Sequence, residues 1–347
     1  MITMNDYFCV LPFFGAEYNR ERPATPCCLL PANTDIKQLQ TEMLSGKRPV
    51  ACQKCWALED QDKMSDRQLK NSAFDFYTDQ DIQFIEKDCQ DGNFSLQILK
   101  LYTSNLCNST CVTCGPEVST AWATLKKVKT FEIIGEDQLE SIPYKDLVML
   151  SFVGGEPLFE KKNFNILEQL ILIGNTDCNI SLVSNGSIQL TQKQQNIIKQ
   201  FKNLNICLSI DGIEKRFEYM RFPLKWDILL ENIKFFKENN IQLSASYTIS
   251  NLNIMYYQET VDWFNSQNLK HNHILVSDPA CFSPTALPKE VKSQLNNPII
   301  PLNDHSDLDD ENFIAACNEI KNQDTLKNIK INDYLPEFYD LIPTSLR

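Results

Sequence analysis

From residue 95 onward, short apolar runs alternate with longer amphipathic ones, and this alternation limits the chain to few architectures. The runs with strand character are Leu96–Tyr102, Leu147–Val153, Ile180–Ser184, Asn205–Ile210, Gln242–Ile249 and His273–Val276. Helical patterns fall between them at about 117–129, 163–173, 191–202, 225–239 and 256–267. The fourth is the clearest, with Ile228, Leu229, Ile233, Phe235 and Phe236 recurring near helical spacing. Strand–helix alternation implies an α/β fold with a parallel sheet and right-handed crossovers. In such folds the chemistry gathers on loops at the carboxyl ends of the strands.

The loops in question carry unusual residues. After the first strand comes Asn105-Leu106-Cys107-Asn108-Ser109-Thr110-Cys111-Val112-Thr113-Cys114, three cysteines at C-x3-C-x2-C spacing, and Gly115-Pro116 then opens a helical stretch. A loop this tight can aim three thiolates at one centre. A closed structural zinc site takes four ligands, and an iron–sulfur cube normally takes four thiolates. A cube held by three has one iron without a protein ligand. The second strand leads into Gly154-Gly155-Glu156-Pro157, where the glycines allow close backbone approach and the carboxylate suits a cationic amine. The third ends in Ser184-Asn185-Gly186, the fourth in Ser209-Ile210-Asp211-Gly212, and the fifth in Thr248, Ser250 and Asn251. Each is common strand-end turn chemistry; together on one rim they point to a ligand site.

The first ninety residues read differently. They are loop-rich, punctuated by Pro12, Pro23, Pro26, Pro31 and Pro49, with one helix expected over Asp35 to Leu44 and another from Ser65. Cys52-Gln53-Lys54-Cys55 can bite one metal ion or a cluster edge, and Cys9 with Cys27 or Cys28 completes a four-thiolate set. Spacing leaves zinc and iron–sulfur both open. Cys89 lies in a polar linker, and Asp91-Gly92 marks a turn near the expected boundary at 88–94. The expected organisation is an N-terminal cysteine module over 1–90, an α/β unit over 95–280 and a helical extension over 281–347.

Composition excludes several classes. The net charge of −12, without a long basic run, lacks the footprint of a nucleic-acid binder. Thirteen cysteines in 347 residues are too many for chance, yet the start has no basic residue before Tyr7 and does not read as a secretory signal. No stretch approaches the ~18 apolar residues of a membrane span. The expectation is a cytoplasmic protein that keeps cysteines for metal and packing. Cys207 and Cys317 are expected in the core, Cys281 in a loop after the last strand, and Cys178 has no evident partner. His271 and His273 share one side of a strand without a third ligand, and His305 is expected in solvent. After Pro288 a helix is expected, with another over Asn312 to Lys321.

With Cys107-x3-Cys111-x2-Cys114, then Gly154-Gly155-Glu156, then Ser209-Ile210-Asp211-Gly212 in this order, the chain resembles the radical S-adenosylmethionine (SAM) superfamily over roughly residues 95 to 280. Arg216 to Arg221 with Trp226 is similar to the branch that carries a twitch domain. Thr113 stands where many members have an aromatic residue. The resemblance implies a partial (β/α)6 barrel and a [4Fe-4S] cluster on Cys107, Cys111 and Cys114, whose open iron chelates SAM. It implies that Gly154, Gly155 and Glu156 meet the amino group of SAM. Ser184, Ser209 and Asp211 would serve the ribose and methionine portion, Arg221 or Arg216 the carboxylate, and Thr248 and Val276 would border the adenine. Reductive cleavage of SAM would give methionine and a 5′-deoxyadenosyl radical that abstracts hydrogen from substrate. An external electron donor is implied.

The N-terminal Cys9-x2-Pro12-Phe13 and Pro26-Cys27-Cys28 are similar to the start of SPASM or twitch modules, which implies an auxiliary [4Fe-4S] cluster on Cys9, Cys27, Cys52 and Cys55. Two features depart from that pattern: Arg22 replaces the usual glycine, and the module precedes the barrel. The expected function is therefore radical chemistry on a peptide or protein. The same chemistry on a small metabolite or nucleotide, and a non-catalytic zinc or electron-transfer protein, stand as alternatives.

Overall fold

A computed structural model describes residues 7–19, 22–31, 33–72, 95–130, 135–295 and 305–347. Cys89, the Asp91-Gly92 turn and the expected boundary at 88–94 lie outside the described residues. Among the described residues eight strands form one sheet: β1 (Gly15–Asn19), β2 (Arg22–Thr25), β3 (Ile98–Tyr102), β4 (Met149–Val153), β5 (Asn179–Ser184), β6 (Leu204–Ser209), β7 (Gln242–Ile249) and β8 (Lys270–Leu275). Their order is β2-β1-β3-β4-β5-β6-β7-β8, and every pairing is parallel except β1 with β2. The described helices are α1 (Leu11–Phe14), α2 (Ile36–Leu44), α3 (Gln53–Glu59), α4 (Asp66–Ser72), α5 (Thr120–Lys126), α6 (Glu136–Glu140), α7 (Lys161–Leu172), α8 (Gln192–Ile198), α9 (Glu214–Met220), α10 (Trp226–Glu238), α11 (Tyr257–Ser266), α12 (Lys289–Gln294), α13 (Asp307–Lys327) and α14 (Pro336–Leu341). None of them is long and apolar enough to cross a membrane.

The six strands expected from the apolar runs are β3 to β8, each within a few residues of its expected bounds. The hairpin β1–β2 is additional. Gly15 to Tyr18 pairs in register with Ile98 to Leu101, so the N-terminal region contributes two strands to the sheet that carries the rim. Pro23 is tolerated in β2 because that strand is at the edge, where a missing ladder N–H costs little.

The strands have two unlike faces. Leu99, Leu101, Leu150, Phe152, Leu182, Ile206, Leu208 and Tyr247 are wholly buried and join a core with Leu167 and Leu170 of α7, Leu229 and Phe236 of α10 and Phe264 of α11. Alternation puts the intervening residues on the opposite face. One register row there runs Glu17, Lys100, Ser151, Ser181, Asn205, Gln242, and the next strand positions supply Cys207, Ser244 and Ser246. This second face is polar and mostly half-buried. Cys207 belongs to it, so it is not a core residue as its strand position suggested.

The C-terminal helix α13 is longer than expected, at 21 residues. Ser306 caps it, with Asp309 returning to the Ser306 N–H, so the acidic run at 307–310 forms its first turn where negative charge suits the helix dipole. Cys317 is buried in it, as expected. His305 bonds to Asp310 rather than standing alone in solvent. His271 and His273 share one face of β8 and pack against Phe264 and Tyr257 of α11, and against Tyr247.

Candidate functional site

Past Tyr102 the chain leaves the sheet as the loop carrying Cys107, Cys111 and Cys114. It is braced on two sides. From α5 and its cap, Thr120 Oγ1 accepts from Cys107 N–H at 3.1 Å and donates to Cys107 O at 3.0 Å, while Ser119 Oγ donates to Ser109 O and Trp122 Nε1 to Cys111 O. On the other side, the N–H groups of Thr110 and Val112 donate to the carbonyls of Phe222 and Met220. The loop backbone is therefore braced by the fold on both sides. Ser109 Oγ sits 3.3 Å from Cys107 Sγ and 3.4 Å from Cys111 Sγ. Burial and then the charge of Cys111 raise the pKa of Cys107, against the Ser109 hydroxyl. Cys114 lies within electrostatic reach of both other thiols.

Thiols gathered this way repel as thiolates unless a positive centre is added, and metal binding supplies one as the protons leave. The donor set fits a cluster. Among the described residues no three His, Cys, Asp or Glu side chains converge on a point that could hold one metal ion. A single zinc ion requires its thiolates about 2.3 Å from a common point. A cluster is gripped at separate corners and tolerates a wider spread.

Gly154-Gly155-Glu156 lies directly against this loop. Gly155 N–H donates to Ser104 O at 3.0 Å and Glu156 N–H to Leu106 O at 2.7 Å. Gly154 adopts φ +116°, and a Cβ on Gly155 would meet the backbone of Asn105 and Leu106. What approaches these glycines is the cysteine loop itself, a reason for glycine that the spacing did not reveal. The Glu156 carboxylate is buried and accepts from Ser184 Oγ (2.8 Å) and from the N–H groups of Asn185 (2.7 Å) and Leu158 (3.0 Å). Burial pushes its pKa up, opposed by those three donors. Three of its roughly four acceptor sites are thus spent on its own chain. Ser184 is occupied in the same network and also accepts from Gly186 N–H.

On the next exits, Asp211 pairs with Arg221 at 2.8 Å and accepts from Thr248 N–H at 3.0 Å, while Asn253 Nδ2 donates to the carbonyls of Asp211 and Thr248. The Arg221 guanidinium reaches Cys111 Sγ at 3.7 Å, and its Nε is buried without a partner among the described residues. Burial alone would lower the Arg221 pKa, but Asp211 and then Cys111 hold it above its ordinary value. Arg216 is engaged elsewhere, with Glu259 and over the Tyr256 ring at 4.1 Å. Ser209 ends β6 on the polar face, Thr248 lies in β7, and Val276 is buried beyond β8 with its N–H on Ile249 O. The four polar exits therefore share one rim with the three-cysteine loop. Sequence reasoning missed the braces Ser119, Thr120 and Trp122, and also Asn163, which accepts from Thr103 Oγ1 at 2.7 Å and donates to Pro157 O at 2.9 Å between the β3 and β4 exits. The cap pattern Ser119-x2-Trp122 was the available signal for the first three.

The N-terminal cysteines form a second site. Cys9, Cys27, Cys52 and Cys55 line one small cavity together with Leu11, Pro12, Leu29, Leu30 and Arg67. Burial pushes the Cys9 thiol up to about 12 and Cys52 to about 11, with the neighbouring thiols adding to both. Leu29 N–H donates to Cys27 Sγ at 3.3 Å. Arg67, held by Glu59 and by Phe8 O, brings a fixed positive charge to the wall. This environment penalises free thiolates and rewards thiolates bound to a cationic centre. Cys28 does not line the cavity; it faces Lys100, at 3.9 Å.

No protein-family model and no curated protein sequence matches the chain. Several solved structures do align with it. One is anSMEcpe with bound AdoMet, at 18% identity and TM-score 0.42, covering 51% of this chain and 49% of that one. Another is Streptococcus suis SuiB bound to precursor peptide SuiA, at 14% identity and TM-score 0.42, covering 68% and 54%. A third is the radical S-adenosylmethionine methyltransferase TsrM from Kitasatospora setae, at 12% identity and TM-score 0.34, covering 51% and 35%. The alignment spans about half the length of the first of these.

Proposed function

We propose that the protein is a radical SAM enzyme acting on a peptide or protein, with a [4Fe-4S] cluster on Cys107, Cys111 and Cys114 and an auxiliary cluster on Cys9, Cys27, Cys52 and Cys55. One observation carries the reading: three thiols on a pre-braced loop meet the polar ends of four neighbouring strands on one rim. Such a cluster, bound to SAM and reduced by an external donor, supplies homolytic C–S cleavage and a hydrogen-abstracting radical. The chain's own part is positioning. Glu156 ties the β4 and β5 exits together, Asp211 fixes Arg221 beside Cys111, and the glycine pair lets the β4 exit touch the cysteine loop. Arg221 has an Nε–H without a partner among the described residues, which suits a carboxylate of the bound ligand. The polar face of the sheet, rich in hydroxyl and amide groups, suits a substrate with many peptide hydrogen bonds. It begins at the strand beside the second cysteine site, which supports pairing the two centres in one reaction.

The direct test is reductive SAM cleavage by anaerobically reconstituted protein. Formation of 5′-deoxyadenosine is expected; a colourless, zinc-loaded protein without affinity for SAM would overturn the proposal. The two sites are separable. Replacing Cys52 and Cys55 with alanine is expected to spare uncoupled SAM cleavage while product formation from substrate falls steeply. Loss of cleavage in that variant would remove the auxiliary role.

A further inference from the structure

Two cations act on Cys111, and they are not equivalent. Arg221 is ion-paired with Asp211 at 2.8 Å, so its charge is largely cancelled where it sits. Lys327 comes from the last turn of α13 and is only 7% exposed. Its Nζ donates to Gln323 Oε1 at 3.0 Å and stands 4.7 Å from the centre of the Trp122 ring. Both neighbours hold the cysteine loop: Gln323 Nε2 donates to Val112 O at 3.0 Å and Trp122 Nε1 to Cys111 O at 2.9 Å. Among the described residues Lys327 forms no salt bridge. The acids within electrostatic reach are Asp324 and Glu319, and both are engaged elsewhere. Asp324 accepts from the Tyr219 hydroxyl at 2.8 Å and from Ile331 N–H at 2.7 Å. Glu319 accepts from Gln323 Nε2 at 3.1 Å and pairs with Lys126 at 3.8 Å.

A cation buried in this way is costly without an ionised partner. A lysine in the last turn of a helix gains from the helix dipole, but an exposed lysine gains the same without desolvation, so the dipole does not account for the burial. Lys126, with its Nζ 5.0 Å from the centre of the same Trp122 ring, adds repulsion. Burial pushes the Lys327 pKa down to about 8; among the groups that oppose this, Cys111 acts most strongly, ahead of Asp324 and Glu319. A cube on three thiolates is negative before reduction, and the incoming electron adds a further unit of negative charge with no bond made or broken. A buried cation nearby therefore favours the reduced form over the oxidised one. We propose that Lys327 is the fixed counter-charge of the cluster on Cys107, Cys111 and Cys114, holding its reduction potential up so that the external donor can deliver its electron. Lys327 acts on the cluster through space and is a positioning residue for charge. This deepens the assignment of a cluster to the loop and rests on it.

The test reads the cluster and leaves SAM out. The full-length, cluster-loaded protein is poised anaerobically with dithionite and a viologen mediator where about half of the parent's loop cluster is reduced, and the reduced share is read by visible absorbance and EPR. The signal of the N-terminal site, recorded on the Cys107/Cys111/Cys114→Ala variant, is subtracted. At the same poise Lys327→Met is expected to lower the ratio of reduced to oxidised cluster by about threefold or more, with iron retained. Lys327→Gln, which keeps a donor for Gln323 Oε1 without the charge, should follow it. Lys327→Arg keeps the charge and should stay within about twofold of the parent. An unchanged ratio in either uncharged variant, or a fall in Lys327→Arg as large as in Lys327→Met, would overturn the counter-charge. So would loss of the loop's iron in both uncharged variants, since Lys327 would then hold the loop rather than set its potential. The two proposals fail separately. A ratio that follows the lysine charge in a protein that never cleaves SAM would keep the counter-charge and overturn the radical reaction, and SAM cleavage with a ratio indifferent to Lys327 would do the reverse.

Discussion

Replacing Cys107, Cys111 and Cys114 together with alanine is expected to abolish reductive SAM cleavage and to remove about four iron atoms per chain. The fold should survive the change, because the loop does not depend on its thiols. Its backbone is held by Thr120, Ser119 and Trp122 on one side and by the carbonyls of Met220 and Phe222 on the other. Three small side chains are exchanged for slightly smaller ones, and only Cys111 of the three is buried, so little packing is lost. The thermal midpoint of the metal-free variant should therefore match that of the metal-free parent within a few degrees. Iron should remain at the N-terminal site, read as residual visible absorbance. A variant that still forms 5′-deoxyadenosine at the parent rate would remove these cysteines from the reaction. One that loses all iron and unfolds would instead show that the loop needs its metal, against the bracing described above.

Much of this site was legible in the sequence because two signals are local. Period-two burial in β4, β5 and β6 and the turn chemistry at the strand ends are both written within ten residues of each other. Non-local partners were not. The N-terminal hairpin was missed because β1 and β2 span only five and four residues and Pro23 reads against a sheet strand. Glu17 is buried by pairing with Lys100, a residue 83 positions away. The length of α13 was underestimated for a similar reason. Gln323 and Lys327 occupy buried positions that the pattern reserves for apolar residues. Gln323 Nε2 donates to Val112 O at 3.0 Å, and Lys327 donates to Gln323 Oε1 while sitting over the Trp122 ring at 4.7 Å. The back of the cysteine loop is thus supported by a helix two hundred residues downstream, which no spacing rule could reveal.

The glycine pair shows the same limit in sharper form, and it gives the second large prediction. Sequence reasoning took Gly154-Gly155 as room for a ligand; the structure puts the protein's own backbone in that room. A Cβ on Gly155 would lie 2.3 Å from Leu106 O and 2.7 Å from Asn105 C, and neither atom belongs to a side chain that could swing aside. Gly155→Ala must therefore push the β4 exit and the cysteine loop apart, breaking the 3.0 Å bond to Ser104 O or the 2.7 Å bond to Leu106 O. A cost of about 2–4 kcal/mol in stability is expected, in the upper range for overpacking because backbone must move. Gly135→Ala, where nothing among the described residues lies within 4 Å of the added carbon, should change stability by less than about 1 kcal/mol. The functional loss should exceed the stability loss. Glu156 follows Gly155 directly and carries the bonds to Ser184 and Asn185, so displacing it misaligns two rim exits against the three thiols. SAM affinity is expected to fall by about tenfold or more at a temperature where the variant is still folded, with iron content retained. Denaturant titration and equilibrium SAM binding check the two halves separately. An unchanged midpoint together with unchanged affinity would mean that the β4 exit and the cysteine loop do not touch in this way.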